Sequence, residues 1–430
     1  MGVRSAPPSG KAGRGGVSEQ KVAGRFPPAF LWGTASAAHQ VEGDNRNSDW
    51  WEFEQQPGRI AGGDTSAVAN DHYHRYREDF ALLRELNQNA HRLSIEWSRI
   101  EPSQGEFDAR QIRHYRDVLG ELREQGIEPM VTLHHFSSPI WFVDKGGWAA
   151  KDAPHAFLPF VHRVIDQLGD LVRLWCTINE PSIYGANGWV TGEFPPGRKG
   201  DLIALYSVTS NMRKAHELAY TAIKRRWPDA MVGVSHHKLL FIPATERRRD
   251  RWAAQASQMA LDRWPVAPGR LARIVEATCD YVGIAHYWGQ MCAFDPRRPQ
   301  DQFIRRFNVP GRRVTDMGLS ADPTWIRTVL NELRPLGKPV YITENGLATD
   351  DDEWRSRHLT ETLQNVLLAI GDGVDVRGYF HWTNTDNFEW ARGYGTHFGL
   401  MAVDRKTLER TIKPSGYLYG RIAAASSLPD

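Results

Sequence analysis

Short apolar runs alternate with segments of helical period from Phe26 to about Ser426. Eight of these runs predict strands, at 30–38, 90–97, 127–136, 172–180, 230–237, 280–287, 338–346 and 376–384. Strands that alternate with helical segments are typical of repeated β-α units with a parallel sheet. The pattern therefore predicts an α/β fold, a (β/α)8 TIM barrel.

The segments between the runs support this fold. One helical face is shared by Tyr73, Tyr76, Phe80 and Leu83. Asp108 followed by Gln111 predicts a capping box for the next helix. No linker interrupts the chain, so we expect one barrel domain over 25–430. The first 24 residues are rich in Gly, Ser and Arg and predict a disordered N-terminal arm.

Composition and charge narrow the classes of partner. The chain has 53 Lys and Arg against 51 Asp and Glu, which gives no electrostatic reason to expect nucleic acid or an anionic membrane. Its three cysteines show neither a disulfide framework nor zinc spacing. The first 24 residues lack the apolar core of a secretory signal, which favours a cytoplasmic location, and no run is long enough to span a membrane.

Polar side chains follow the predicted strands at their carboxyl ends, which is where a (β/α)8 barrel builds its active site. A buried carboxylate is costly unless something pairs with it or uses it. The candidate site residues at these strand ends are Gln40, His135, Asn179, Glu180, Tyr287 and Glu344.

Two of these candidates, Glu180 in "TINEP" and Glu344 in "YITENG", close the fourth and seventh strands. Strands three apart lie nearly across the mouth of an eight-stranded barrel, so the two carboxylates are expected to face each other. Glycoside hydrolysis needs such a pair without a metal. The alternative is a buried ion pair of either glutamate with Arg92 or Arg99.

Aromatic and histidine side chains bear on this hypothesis. The chain has 16 tryptophans, whose rings suit the apolar faces of sugars, although core packing is expected for more than half of them. Neighbouring histidines such as His236 and His237 point to different faces, which disfavours a metal site. Six tryptophans are expected on or near strand ends: Trp32, Trp141, Trp148, Trp288, Trp382 and Trp390.

Several motifs together resemble one family. "FPPAFLWGTASAAHQVEG", "TINEP", "ITENG", "TDNFEWARGY" and "HFGLMAVD" are similar to those of family 1 glycoside hydrolases, the β-glucosidase and β-galactosidase group. The resemblance implies a retaining mechanism without a cofactor or metal, with Glu180 as general acid/base and Glu344 as nucleophile. Retention predicts carboxyl groups about 5–5.5 Å apart.

The resemblance also implies supporting roles. Trp382 matches the aromatic platform beneath the sugar, and Arg92 and Tyr287 match residues that contact the nucleophile. The positions that hold the hydroxyls of the non-reducing sugar are matched by Gln40, His135, Asn179, Glu389 and Trp390. The Glu389-Trp390 pair is the pattern for free sugars and disfavours a 6-phosphoglycosidase.

Some positions depart from the family pattern. Ala285 stands where the family usually has Asn, Phe136 where a Trp commonly follows the histidine, and Leu319 where a Trp commonly lines the leaving-group side. Preference for the leaving group is therefore open.

The sequence thus predicts a retaining β-glycosidase that hydrolyses terminal non-reducing β-D-glucosyl residues, with β-galactosidase and β-fucosidase side activity. Its partner would be a small-molecule β-glycoside or oligosaccharide. One alternative is a transglycosidase that uses the same glutamates with a sugar or lipid hydroxyl as acceptor. Another is a non-catalytic carbohydrate-binding relative, which the presence of both glutamates disfavours.

Overall fold

A computed structural model describes residues 24–262 and 277–429, and the predicted arm lies outside them except for its last residue. Eight parallel strands close a barrel in the spatial order β1, β8, β7, β6, β5, β4, β3, β2. The strands are β1 Leu31–Ala35, β2 Ala90–Ser94, β3 Glu128–His134, β4 Leu174–Asn179, β5 Met231–His237, β6 Val282–Ala285, β7 Val340–Asn345 and β8 Val376–Trp382. All eight predicted strands and the (β/α)8 barrel are confirmed.

Barrel strands are buried on both faces, because helices cover the outside and side chains fill the inside. Every residue of β4, with the sequence LWCTIN, is buried. Such a strand reads as a continuous apolar run rather than an alternating one, which is why the runs could be recognised.

Helices cover the outside of the barrel. In the described ranges the longer ones are His72–Glu85, Ala109–Glu124, Ala153–Leu168, Leu202–Arg226, Arg248–Asp262, Trp325–Leu333, Asp352–Gly371 and Pro414–Ala425. The predicted face of the first helix is confirmed, since Tyr76, Phe80 and Leu83 are buried and Tyr73 is half-buried. None of the helices in these ranges has the length and apolar character that a bilayer crossing requires.

Only the Asp108 side of the predicted capping box makes a capping hydrogen bond. The Asp108 carboxylate accepts a hydrogen bond from the Arg110 backbone N–H at 2.7 Å and caps the helix Ala109–Glu124. The Gln111 side chain instead accepts a hydrogen bond from the Tyr73 hydroxyl at 2.9 Å. That bond joins this helix to the helix His72–Glu85.

Shorter elements lie between the barrel units. The short helices are Ala38–Val41, Asp49–Glu54, Trp97–Ile100, Ile140–Asp144 and Pro181–Ala186, and a π-helical turn spans Asn187–Thr191. One small sheet contains Leu240–Pro243, Gly289–Phe294 and Ile304–Phe307, and another contains Met401–Val403 and Arg410–Ile412. Turns of 3-10 helix are Ala61–Gly63, Gly147–Ala149, Gly169–Leu171, Pro299–Asp301, Arg334–Leu336 and Trp390–Arg392.

Two tryptophans expected on or near strand ends belong to the core instead. Trp32 is 2% exposed, packs against Phe26 and Phe30, and donates a hydrogen bond to the Ser426 hydroxyl at 3.1 Å. Trp148 is 1% exposed and donates to a ring nitrogen of His134 at 3.0 Å. Core packing, the expectation for most of the tryptophans, accounts for both positions.

Candidate active site

The barrel brings Glu180 and Glu344 to its mouth on strands three places apart. Glu344 lies in β7 and Glu180 directly follows β4, with β5 and β6 between them. Both side chains are buried, at 5% exposed for Glu180 and 4% for Glu344. The charge of Glu180 is near enough to raise the pKa of Glu344. Both side chains therefore lie at the carboxyl ends of their strands, which is the end where a (β/α)8 barrel builds its active site.

Glu344 has a hydrogen-bond partner on each carboxylate oxygen. Oε1 accepts from the guanidinium of Arg92, and Oε2 accepts from the Tyr287 hydroxyl at 2.7 Å. Burial raises the pKa of the Glu344 carboxyl, whereas Arg92 and Tyr287 oppose that rise because both favour the charged form. Arg92 and Tyr287 thus contact the predicted nucleophile, as the resemblance implied.

Arg92 also orients Asn179. A second guanidinium nitrogen of this fully buried arginine donates to the Asn179 Oδ1 at 2.6 Å. The Asn179 amide nitrogen is then directed to the His135 Nε2, 3.1 Å away. Since that ring nitrogen accepts the bond, His135 carries its proton on Nδ1.

The Nδ1–H of His135 is available to donate a hydrogen bond to a ligand. Burial and the nearby charge of Arg92 lower the pKa of His135 well below its ordinary value, so the ring is neutral. Its Nδ1 is buried and finds no hydrogen-bond partner among the described residues. The chain of contacts from Arg92 through Asn179 therefore presents one N–H donor of known orientation.

Gln40, Trp382 and Glu389 form a second polar group. The Gln40 amide nitrogen donates to the Phe388 carbonyl at 2.9 Å and to the Glu389 carboxylate at 3.4 Å. The indole of Trp382 donates to the same carboxylate oxygen at 3.4 Å. Burial raises the pKa of Glu389 to about 8. The Gln40 Oε1 is buried without a partner in 24–262 or 277–429, which leaves it as an acceptor.

Aromatic rings enclose these polar groups. The rings of Trp382 and Trp390 lie 5.8 and 6.1 Å from that of His135, at interplanar angles of 27° and 24°. Phe136 packs on Trp390 with the centroids 5.3 Å apart and is 3% exposed. The structure thus brings all the predicted sugar-contact residues to one region, and Leu319 is half-buried in a loop.

His237 is a contact that sequence reasoning missed. Its Nδ1 lies 2.7 Å from the Glu180 Oε1, and it is the last residue of β5. From the sequence, His237 entered only with His236, as a pair that disfavours a metal site. Its position in the sequence could have indicated a site residue, because it is a polar residue at the carboxyl end of a predicted strand.

Other polar clusters have structural partners. The part of the chain that the structure describes contains no group of three or more His, Cys, Asp or Glu arranged to hold a metal ion. His72 binds the carboxylate of Asp79 at 2.6 Å. Of the two arginines considered as ion-pair partners of the glutamates, Arg99 pairs with Glu42 at 2.8 Å, whereas Arg92 pairs with Glu344.

Comparisons with known proteins identify the family. The model of Glycosyl hydrolase family 1 matches residues 22–271 and 265–427. The chain is 33% identical to the 1,4-beta-D-glucan glucohydrolase of Thermotoga neapolitana over 447 aligned residues, which cover 94% of this chain and 100% of the relative. The chain belongs to glycosyl hydrolase family 1 and is a glycoside hydrolase of the β-glycosidase type.

Solved structures of a related enzyme agree with this assignment. The beta-glucosidase from Thermotoga maritima in complex with glucoimidazole is 30% identical, with a TM-score of 0.88 and coverage of 94% of this chain and 100% of that one. The same enzyme in complex with galacto-hydroximolactam gives 30% identity, the same coverage and a TM-score of 0.87. The family predicted from the motifs is confirmed.

Proposed function

We propose that the protein is a retaining β-glycosidase that acts best on terminal non-reducing β-D-glucosyl residues. The observation that carries this proposal is the pair of buried carboxyl groups at the ends of β4 and β7, each with different hydrogen-bond partners. Two carboxyl groups with different partners suit the two different roles of a double displacement.

In the first step the Glu344 carboxylate attacks the anomeric carbon. The bond from that carbon to the leaving oxygen breaks, and the leaving oxygen takes a proton from Glu180. Arg92 and Tyr287 support the charged form of Glu344 until the attack. Glu180, held on one oxygen by His237, supplies that proton as the general acid.

In the second step water releases the sugar. Glu180, now a carboxylate, takes a proton from water while the water oxygen attacks the anomeric carbon and the bond to Glu344 breaks. Glu344 is bound to the sugar at this stage, which leaves the Glu180 carboxylate to act as the general base. Two displacements at the same carbon restore the β configuration.

The remaining contacts are proposed to hold the sugar. Hydroxyl groups both donate and accept, and the site offers the Nδ1–H of His135 as a donor and the Oε1 of Gln40 as an acceptor. Asn179 and Glu389 add an amide and a carboxyl group. Trp382 provides the platform for the sugar ring, and Trp390 presents its indole N–H to a hydroxyl.

We further propose β-galactosidase and β-fucosidase side activity. The related Thermotoga maritima enzyme has been solved with both glucoimidazole and galacto-hydroximolactam, which supports a site that tolerates more than one sugar. Glu389 can meet either orientation of a sugar hydroxyl through its two oxygens. The leaving-group side, where Phe136 and Leu319 depart from the family pattern, is not part of this proposal.

A panel of p-nitrophenyl β- and α-glycosides tests the proposal on wild type and on Glu344→Ala. We expect the β-glucoside to react fastest and the variant to lose several orders of magnitude in kcat, because its nucleophile is missing. Glu353→Ala, which changes a glutamate side chain that is 81% exposed, is the matched control and should keep wild-type rates. Activity that survives in Glu344→Ala, or a preference for α-glycosides, would overturn the proposal.

A further inference from the structure

The side chain of His237 holds one oxygen of Glu180 and leaves the other available. The Nδ1 to Oε1 distance is 2.7 Å, and the two side chains are 4% and 7% exposed. The Glu180 Oε2 makes no hydrogen bond within the described residues. The two oxygens of this carboxyl group are therefore not equivalent.

The fold fixes the position of the histidine ring. The Glu180 backbone N–H donates to the Ser235 carbonyl at 2.8 Å, which ties Glu180 to β5 two residues before His237. The Ser235 hydroxyl lies 2.6 Å from that of Thr343 in β7, and alternate residues of a strand share a face, so His237 lies on the same side of β5 as Ser235. The ring also lies against Tyr287 and Trp288, with centroids 6.2 and 5.8 Å away.

The surroundings also decide which ring nitrogen carries the proton. The His237 Nε2 is buried and has no partner in the part of the chain that is described. A proton on Nε2 would leave a buried N–H unpaired, which is costly. A proton on Nδ1 is instead satisfied by Oε1 of Glu180.

We propose that His237 is a positioning residue that keeps the proton of Glu180 on Oε2, the oxygen left for the substrate. The inference rests on the proposed acid/base role of Glu180. A carboxylic acid can carry its proton on either oxygen. Because the His237 N–H needs a lone pair on Oε1, the proton of the acid is directed to Oε2.

This contact would act most strongly during bond cleavage. As the leaving oxygen takes the proton from Oε2, negative charge develops on the Glu180 carboxylate and is shared with Oε1. A hydrogen bond to a charged acceptor is stronger than one to a neutral acceptor. His237 would therefore stabilise the transition state more than the ground state, which is the condition for catalysis.

The test compares leaving groups in the full-length protein. The dinitrophenolate of a 2,4-dinitrophenyl β-glucoside leaves the anomeric carbon without taking a proton. The sugar and methoxy leaving groups of cellobiose and methyl β-glucoside must be protonated as they leave. For His237→Ala we expect kcat/KM to fall about 10- to 100-fold on the poor leaving groups, part of what general acid catalysis contributes. The dinitrophenyl substrate should change little. The control His236→Asn alters the opposite face of the same strand and should leave kcat/KM unchanged for both kinds of leaving group.

Two further variants separate positioning from folding. Asn places its amide nitrogen near the position of Nδ1, whereas Gln reaches toward that of Nε2. His237→Asn should therefore keep most of the activity on poor leaving groups, and His237→Gln should not, with similar melting temperatures for both. This pair remains informative if His237→Ala does not fold.

The outcomes distinguish this inference from the proposed function. Equal losses on all substrates, or no loss, would overturn the positioning role of His237. Glu180→Gln is expected to show a larger loss with the same dependence on the leaving group. If Glu180→Gln instead shows no such dependence, the acid/base assignment itself fails.

Discussion

Glu180 and Glu344 have the same side chain and nearly the same burial, at 5% and 4% exposed, yet their partners differ. Glu344 is bound on both oxygens, one of them by the guanidinium of Arg92. Glu180 is bound on one oxygen by the ring of His237. The difference teaches that the partners, rather than the depth of burial, assign the two proposed roles.

The barrel makes this difference possible because each partner comes from a different strand. Arg92 lies in β2 and Tyr287 follows β6, whereas His237 ends β5. A closed parallel barrel brings the carboxyl ends of all its strands to one face. Residues far apart in the chain can thus give two glutamates separate surroundings.

Among changes to the partners of the two glutamates, the largest effect is expected when the guanidinium beside Glu344 is removed. Arg92→Met should lower kcat/KM about 10²- to 10³-fold, as the loss of one preorganised charged donor does elsewhere. Arg92 lowers the pKa of Glu344 in the wild type, so its loss should raise that pKa further. The activity that remains should therefore appear at higher pH, as a profile of kcat/KM against pH can measure.

Arg99→Met is the matched control for that variant. It breaks the 2.8 Å pair with Glu42, which is also largely buried but belongs to a different cluster. Its pH profile should keep the wild-type acid limb. A similar shift of the acid limb in both variants would mean that the pairing of Arg92 with Glu344 has no special part in catalysis.

A smaller effect concerns stability and the third buried glutamate of the site. Burial raises the pKa of Glu389 to about 8, above the ordinary value of 4.5. A raised carboxyl pKa means that the native state holds its proton more tightly than the unfolded chain does. Its stabilising contribution is complete below the unfolded pKa and is lost as the pH rises to the folded pKa.

Glu389→Gln should remove this dependence of the free energy of unfolding on pH. Between about pH 5 and pH 8, the free energy of unfolding of wild type should fall relative to the variant by up to about 1.4 kcal/mol per pH unit. Urea denaturation at several pH values measures this difference. The control Glu246→Gln alters a side chain that is 92% exposed and should follow wild type. Parallel curves for all three proteins would contradict the burial effect.

Much of the fold could be predicted because buried parallel strands carry continuous apolar runs. The eight runs, and the polar residues at their carboxyl ends, indicate Glu180 and Glu344 from the sequence alone. The contact of Arg92 with Glu344 was expected from family resemblance. That Arg92 also fixes the amide of Asn179 required distances, since no spacing in the sequence encodes it.

Other features were hidden because they depend on tertiary contacts. The strand Ile304–Phe307 reads IRRF and belongs to a small sheet outside the barrel, so no apolar run marked it. In the sequence His237 stands beside His236, a pair that disfavours a metal site, whereas its hydrogen-bond partner Glu180 is 57 residues away. Trp32 sits in a predicted strand, but only packing shows that its ring faces the outer core.

The central claim is that Glu344 forms a covalent bond with the sugar while Glu180 transfers protons. A 2,4-dinitrophenyl 2-deoxy-2-fluoro-β-glucoside tests it most directly, because the fluorine slows both steps and the good leaving group keeps the first one fast enough for the intermediate to accumulate. Mass spectrometry of the digested protein then locates the label. We predict one fluoroglucosyl group on the peptide that contains Glu344 and none on Glu180. A label on Glu180, or turnover with no covalent adduct, would contradict this account.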